Sequence, residues 1–249
     1  MTSADPDEIQ TGGAKEVQAL YTELALHPEK DFGWGKGKEN ARTLDYDPAW
    51  LERLPDAVWA SAAAVGNPFL LGPIRRGETV VDLGCGAGVD LCIAALLVGD
   101  EGQAIGIDFT PAMVVKAKDN VRLTGLSNVA IYAGDIASVL LEDASIDVVI
   151  SNASINLLSD KACVFNEIFR ILRPGGRLQF ADMVKDASVE SAVSARSASW
   201  ADCVAGTVEP DSYLKMLEDA GFRQVEFVSF TGYRTAATTI GACFRALKP

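Results

Sequence analysis

An α/β fold with a mostly parallel sheet and helices on both faces is predicted by three observations. From Glu78 onward, short apolar segments rich in Val and Ile alternate with helix-length amphipathic stretches. The helices are punctuated as helices should be, with Thr110-Pro111 opening one and the glycines of "LRPGG" closing another. The last two strand-like segments, "QVEFVSF" and "TIGACFRAL", follow one another without a helix between them, which predicts a closing antiparallel hairpin.

In order, residues 1 to about 13 read as a weakly ordered polar tail around Thr-Gly-Gly. "AKEVQALYTELALH" (14–27) places Val17, Leu20, Tyr21 and Leu24 at helical spacing. "KDFGWGKGKENA" (30–41), with three glycines and an aromatic pair, predicts a loop able to close over a ligand. A second helix is expected over 48–64, and Gly66 to Pro68 turns the chain. Strands are then expected at 78–82, 103–107, 129–132, 146–151 and 175–182, with helices at about 89–99, 111–124, 159–172 and 210–220. The division this suggests is 1–65 as tail, lid helices and loop, and 66–249 as one ligand-binding domain.

Composition narrows the function classes. With 249 residues and 49% hydrophobic content, the chain supports one full core. Its net charge of −12 disfavours nucleic acid. No apolar run reaches the ~18 residues of a membrane helix, and the acidic start "MTSADPDEIQ" lacks a signal-peptide pattern, so no membrane association and a cytoplasmic location are expected. Five cysteines without a C-x-x-C pair, and a single histidine, predict no metal site.

The chemistry concentrates in "VDLGCGAGVD" (81–90), a glycine turn between a strand and a helix. In an open parallel sheet the ligand crevice lies beyond the carboxyl ends of the strands. Gly84, Gly86 and Gly88 let backbone approach a ligand and present amides at a helix start, Asp108 ends the second strand where a carboxylate accepts ribose hydroxyls, Asp135 follows the third, and Ser151 and Asn152 follow the fourth. The spacing is G-x-G-x-G, with Val89 where the dinucleotide pattern needs its last glycine, and this disfavours a nicotinamide oxidoreductase. Asp82 beside the turn repels a pyrophosphate yet suits a ligand bearing ammonium or sulfonium groups, such as S-adenosylmethionine.

Taken together, "VVDLGCGAGVD", "AIGIDFTPAMVVKAKDN", "NVAIYAGDI", the segment from "IDVVISNASINL" to "LRPGGRLQFADMV", and "CVAGTV" resemble the class I methyltransferases, and within them the arsenite methyltransferase branch. The likeness covers about residues 66 to 222. It implies a Rossmann-like seven-stranded sheet with an antiparallel last strand, and S-adenosylmethionine as methyl donor, leaving S-adenosylhomocysteine. It also implies a cofactor set: Cys85 in the turn, Phe109 and Met113 beside Asp108, Gly134 and Ile136 around Asp135, and Tyr21 folding over the donor.

Arsenite-methylating members hold the metalloid with thiolates, as a soft centre requires. The family cysteine of the "SNxxINL" segment is Ala153 here, and no cysteine precedes Cys85; only Cys203 matches. The resulting expectation is methyl transfer to a small molecule by a monomer or homodimer. Two alternatives stay open: arsenite methylation using Cys203 with glutathione thiols, and donor binding without catalysis. Candidate acceptor-side groups are Cys203, Asn156 and Asp182, with Phe180 and Trp200 as possible apolar walls and Cys163 and Cys243 as core residues.

Overall fold

The computed structural model describes residues 6–189 and 206–249. Seven strands form one sheet: β1 (Thr79–Leu83), β2 (Gln103–Asp108), β3 (Val129–Ala133), β4 (Ile146–Asn152), β5 (Leu172–Lys185), β6 (Arg223–Phe230) and β7 (Thr239–Leu247). Their order is β3-β2-β1-β4-β5-β7-β6. The first five are parallel, and β7 runs antiparallel between β5 and β6. Strand order reverses between β1 and β4, and a crevice opens at such a point above the carboxyl ends.

The central strands are apolar because both faces are covered. Val80, Val81, Leu83, Val148, Val149 and Ile150 are all fully buried. The helix α5 (Val89–Val98), "VDLCIAALLV", is apolar around most of its circumference and correspondingly buried. It ends at Gly99, whose φ of 65° belongs to glycine. The helix α6 (Pro111–Thr124) begins with proline at its first position and stops at Gly125. In α7 (Lys161–Ile171), Asp160 caps the start by accepting from the Cys163 amide at 3.2 Å.

Four expectations need correction. The helix α1 runs Pro6–Leu26, so most of the expected tail is helical. The predicted loop 30–41 gives way to a short helix, α2 (Gly37–Thr43). The helix expected over 48–64 is two pieces, α3 (Pro48–Arg53) and α4 (Asp56–Trp59), because Pro55 forces Leu54 into the extended region at ψ 135°. α7 does end just before "LRPGG", but it passes directly into β5, which runs from Leu172 to Lys185 and not from 175 to 182. The helix α8 (Pro210–Asp219) and the closing hairpin stand as predicted.

Candidate active site

A cavity of about 490 Å³ lies over the carboxyl ends of β1, β2 and β4, within the size range of small-molecule sites. Its floor is the glycine turn. Gly84 and Cys85 donate their amides to Ile107 O, and Gly88 donates to Cys85 O, so the turn is fastened to β2. Gly84 has φ +74°, and a methyl group there would collide with the Ser154 side chain. Gly86 has φ +51° and open space above it, so its backbone faces the cavity.

Asp108, the last residue of β2, accepts from the Gly86 amide and from the Thr110 amide, each at 2.8 Å. Burial raises its carboxyl above the ordinary range, and those two amides oppose the rise. Asp82 is buried in β1 with Oδ2 lacking any partner among the described residues. Burial first, then repulsion from Asp90 and Asp108, pushes its carboxyl well up. A cationic ligand relieves such a cluster of carboxylates.

Asp90 belongs to a network that sequence reading missed. It accepts from Tyr46 Oη at 2.8 Å and Asn152 Nδ2 at 3.0 Å, and burial pushes its carboxyl up to about 6. Asn152 also donates to Gly66 O at 2.9 Å and accepts from the Val65 amide at 3.0 Å. One side chain at the end of β4 thus ties the glycine helix to the segment entering the domain. No short-range signal marks Tyr46, which lies 44 residues from Asp90.

Of the residues expected around the cofactor, Tyr21, Asp82, Gly84, Cys85, Gly86, Asp108, Phe109, Met113, Asp135, Ile136 and Asn152 line the cavity. Three expected residues do not. Gly88 caps α5 against Ala117, Gly134 lies beside Ile107, and Ser151 points under the turn, where its hydroxyl donates to Leu83 O at 2.8 Å. Ser154, unpredicted, lines the wall and shares a 2.6 Å hydrogen bond with Ser151.

The acceptor-side expectations change more. Asp182 is wholly buried inside β5, opposite Ala242 of β7, and accepts from the Asn156 amide at 2.8 Å and from Tyr213 Oη at 3.3 Å. Burial pushes its carboxyl up to about 7. Neither it nor Asn156 is among the residues lining the cavity. Phe180 stacks on Phe244 at 5.0 Å in the core and forms no substrate wall. Cys163 is the reverse case: expected in the core, it is exposed at the cavity wall, and its thiol donates to Asp160 Oδ2 at 3.1 Å, which raises its pKa. Cys243 is buried as expected. Cys203 and Trp200 lie outside the described residues.

Much of the remaining wall is apolar, with Trp59, Ala62 to Ala64, Ala153, Leu157 and Leu158, and Asn40, Ser61, Ser159 and Asp160 add polar groups. Ala153 adopts φ +59°, unusual for a residue with a side chain, and its amide donates to Ala181 O at 2.9 Å. Among the described residues no cluster of His, Cys, Asp and Glu could hold a metal ion, and no helix is long and apolar enough to cross a membrane.

Comparison with known proteins agrees with this geometry. An arsenite methyltransferase of Halobacterium salinarum is 43% identical over 161 residues, which is 65% of this chain and 41% of that protein. Another, of Aquipseudomonas alcaligenes, is 32% identical over 220 residues, 82% of this chain and 64% of the relative. The chain therefore spans less than two thirds of the length of these curated relatives. The crystal structure of an arsenic(III) S-adenosylmethionine methyltransferase from Chlamydomonas reinhardtii superposes with a TM-score of 0.58 at 28% identity, covering 84% of this chain and 73% of that one. A family model described as a methyltransferase domain matches residues 74–221, and the chain belongs to that family.

Proposed function

We propose that this chain transfers a methyl group from S-adenosylmethionine to a small acceptor molecule. The observation that carries the reading is the convergence of Asp82, the open Gly86 backbone, Asp108 and the Asp135–Ile136 pair on one cavity at the reversal of strand order. These residues suit the donor: Asp108 would hold the ribose hydroxyls, Asp135 and Ile136 the adenine, and the carboxylates near Asp82 the positive methionine end. Tyr21, Phe109 and Met113 would complete its surroundings. Bound S-adenosylmethionine supplies an electrophilic methyl on a sulfonium with an excellent leaving group.

The protein's own contribution is alignment and exclusion of water. The apolar wall from Ala62 to Ala64 and from Ala153 to Leu158 keeps the acceptor side dry, while the Tyr46, Asp90 and Asn152 network fixes that wall against the glycine turn. Residues up to 65 act as the cover and residues 66–249 as the donor-binding domain. No base is required where the acceptor is already nucleophilic. Asp182 and Asn156 serve instead to hold the 153–158 segment, through the Asn156 amide.

Arsenite methylation is a second reading, favoured by the names of the relatives. It conflicts with Ala153, since the described thiols on the cavity are Cys85, whose pKa burial pushes well up, and Cys163. The test is release of S-adenosylhomocysteine from S-adenosylmethionine and glutathione, with and without arsenite. Arsenite-dependent release selects the second reading; donor binding without it leaves an organic acceptor. Absence of donor binding contradicts both.

A further inference from the structure

We propose that the methyl acceptor is a small, largely apolar molecule that carries no negative charge at neutral pH. The inference rests on the methyltransferase reading and concerns the charge balance of the same cavity. The charged residues that line it, among those described, are Asp82, Asp90, Asp108, Asp135 and Asp160; no lysine, arginine or histidine joins them. Of the lysines beside lining residues, Lys15 is exposed and the others make contacts elsewhere. Lys36 donates to Pro28 O, Lys38 pairs with Asp56, and Lys161 donates to Leu158 O from a buried position near Asp182.

Helix N-termini are the other common source of positive potential. At α6, Asp108 accepts from the Thr110 amide, and at α7, Asp160 accepts from the Cys163 amide. At the short α2, the Gly37 amide donates to Ala62 O and Glu39 lies in the first turn; at the start of α5 beside the glycine turn, the methyl donor brings a carboxylate of its own. The donor's net single positive charge leaves the carboxylates in excess. Burial is the first cause that raises the carboxyls of Asp82, Asp90 and Asp108, and no lysine or arginine is among the groups that oppose it.

An anionic acceptor would therefore shed its hydration against apolar carbon, with no counter-charge among the described residues and with like charges nearby. A neutral molecule can rest on the alanine and leucine surface of Ala63, Ala64, Ala153, Leu157 and Leu158 without losing a counter-charge. A protonated amine meets that surface and a favourable field.

The experiment compares three probes of one shape, benzyl alcohol, benzylamine and benzoate, on protein saturated with S-adenosylhomocysteine. Binding is read by NMR contacts between probe protons and the methyl groups of Ala153 and Leu157. Saturation with the nucleoside is verified first, and its failure contradicts the methyltransferase reading itself. With the nucleoside bound, the alcohol and the amine should bind at millimolar concentration, and benzoate at least about tenfold more weakly. Equal or tighter binding of benzoate overturns the proposal, as does failure of all three probes to reach Ala153. A Ser159→Lys variant, on an exposed part of the cavity wall, should narrow the benzoate gap severalfold at low salt and lose that effect at high salt. A gap that does not move overturns the electrostatic basis.

Discussion

Two carboxylates at the same edge of one sheet have opposite fates. Asp108 terminates β2 and looks into the cavity, where the Gly86 and Thr110 amides hold it. Asp182 sits three residues inside β5, between β4 and β7, and is sealed in the core. The first is placed to meet a ligand; the second fixes a wall segment through the Asn156 amide. The lesson is that a carboxylate at a strand end reaches the crevice, while one three residues inside a strand flanked on both sides is sealed off. The β1 and β2 side gathers polar groups within a short stretch of chain, whereas the β4 and β5 side is an apolar surface assembled from distant segments.

Several substitutions would break or sharpen this contrast. The largest effect is expected at the donor-side turn. Gly84→Ala forces a side chain onto φ +74° and into Ser154, and should cost about 2–3 kcal/mol by denaturant unfolding. Combining it with Ser154→Gly should remove the collision and leave roughly 1 kcal/mol of backbone strain. Gly86→Ala, with open space above it, should show only that strain, about 1 kcal/mol, but should weaken S-adenosylhomocysteine binding because the added methyl faces the cavity. Equal destabilisation at 84 and 86 would contradict the packing described.

Between the two sides, Tyr46→Phe removes the hydroxyl that donates to Asp90 and accepts from Asn152 at 3.1 Å. Leaving those buried groups short of a partner should cost about 1–3 kcal/mol in chemical denaturation. Asp90, losing a donor that favours its ionised form, should titrate higher than about 6, which carboxyl carbon NMR would detect.

A pH dependence is expected on the β5 side. The native carboxyl of Asp182 is raised to about 7, so the folded state binds a proton that the unfolded chain has released above roughly pH 4. Its contribution is fully present below the unfolded pKa and is lost as pH rises through about 7. The stability of Asp182→Asn relative to the parent should therefore rise between about pH 4 and about pH 7 and level off above that. A difference independent of pH would show that Asp182 does not titrate there.

Legibility in the sequence follows the same divide. The donor side was readable because glycine turn, strand end and helix start are contiguous, and Asp82, Gly84, Gly86 and Asp108 do converge. Tyr46, Trp59 and Ala62 to Ala64 come from an earlier segment whose place over the sheet only tertiary packing decides. Asp182 was misplaced because β5 was expected to end there, when it continues to Lys185. Cys163 was misjudged from the usual burial of cysteine, although a signal existed: α7 buries Lys161, Val164, Phe165, Ile168 and Ile171, and position 163 lies off that stripe. Pro55 likewise announced the break between α3 and α4.

The most direct test titrates S-adenosylhomocysteine calorimetrically against the parent protein, Asp108→Asn and Asp182→Asn side by side at neutral pH. The account predicts binding to the parent, at least about tenfold weaker binding to Asp108→Asn, and unchanged affinity for Asp182→Asn. Undiminished binding to Asp108→Asn, or a loss confined to Asp182→Asn, would contradict it.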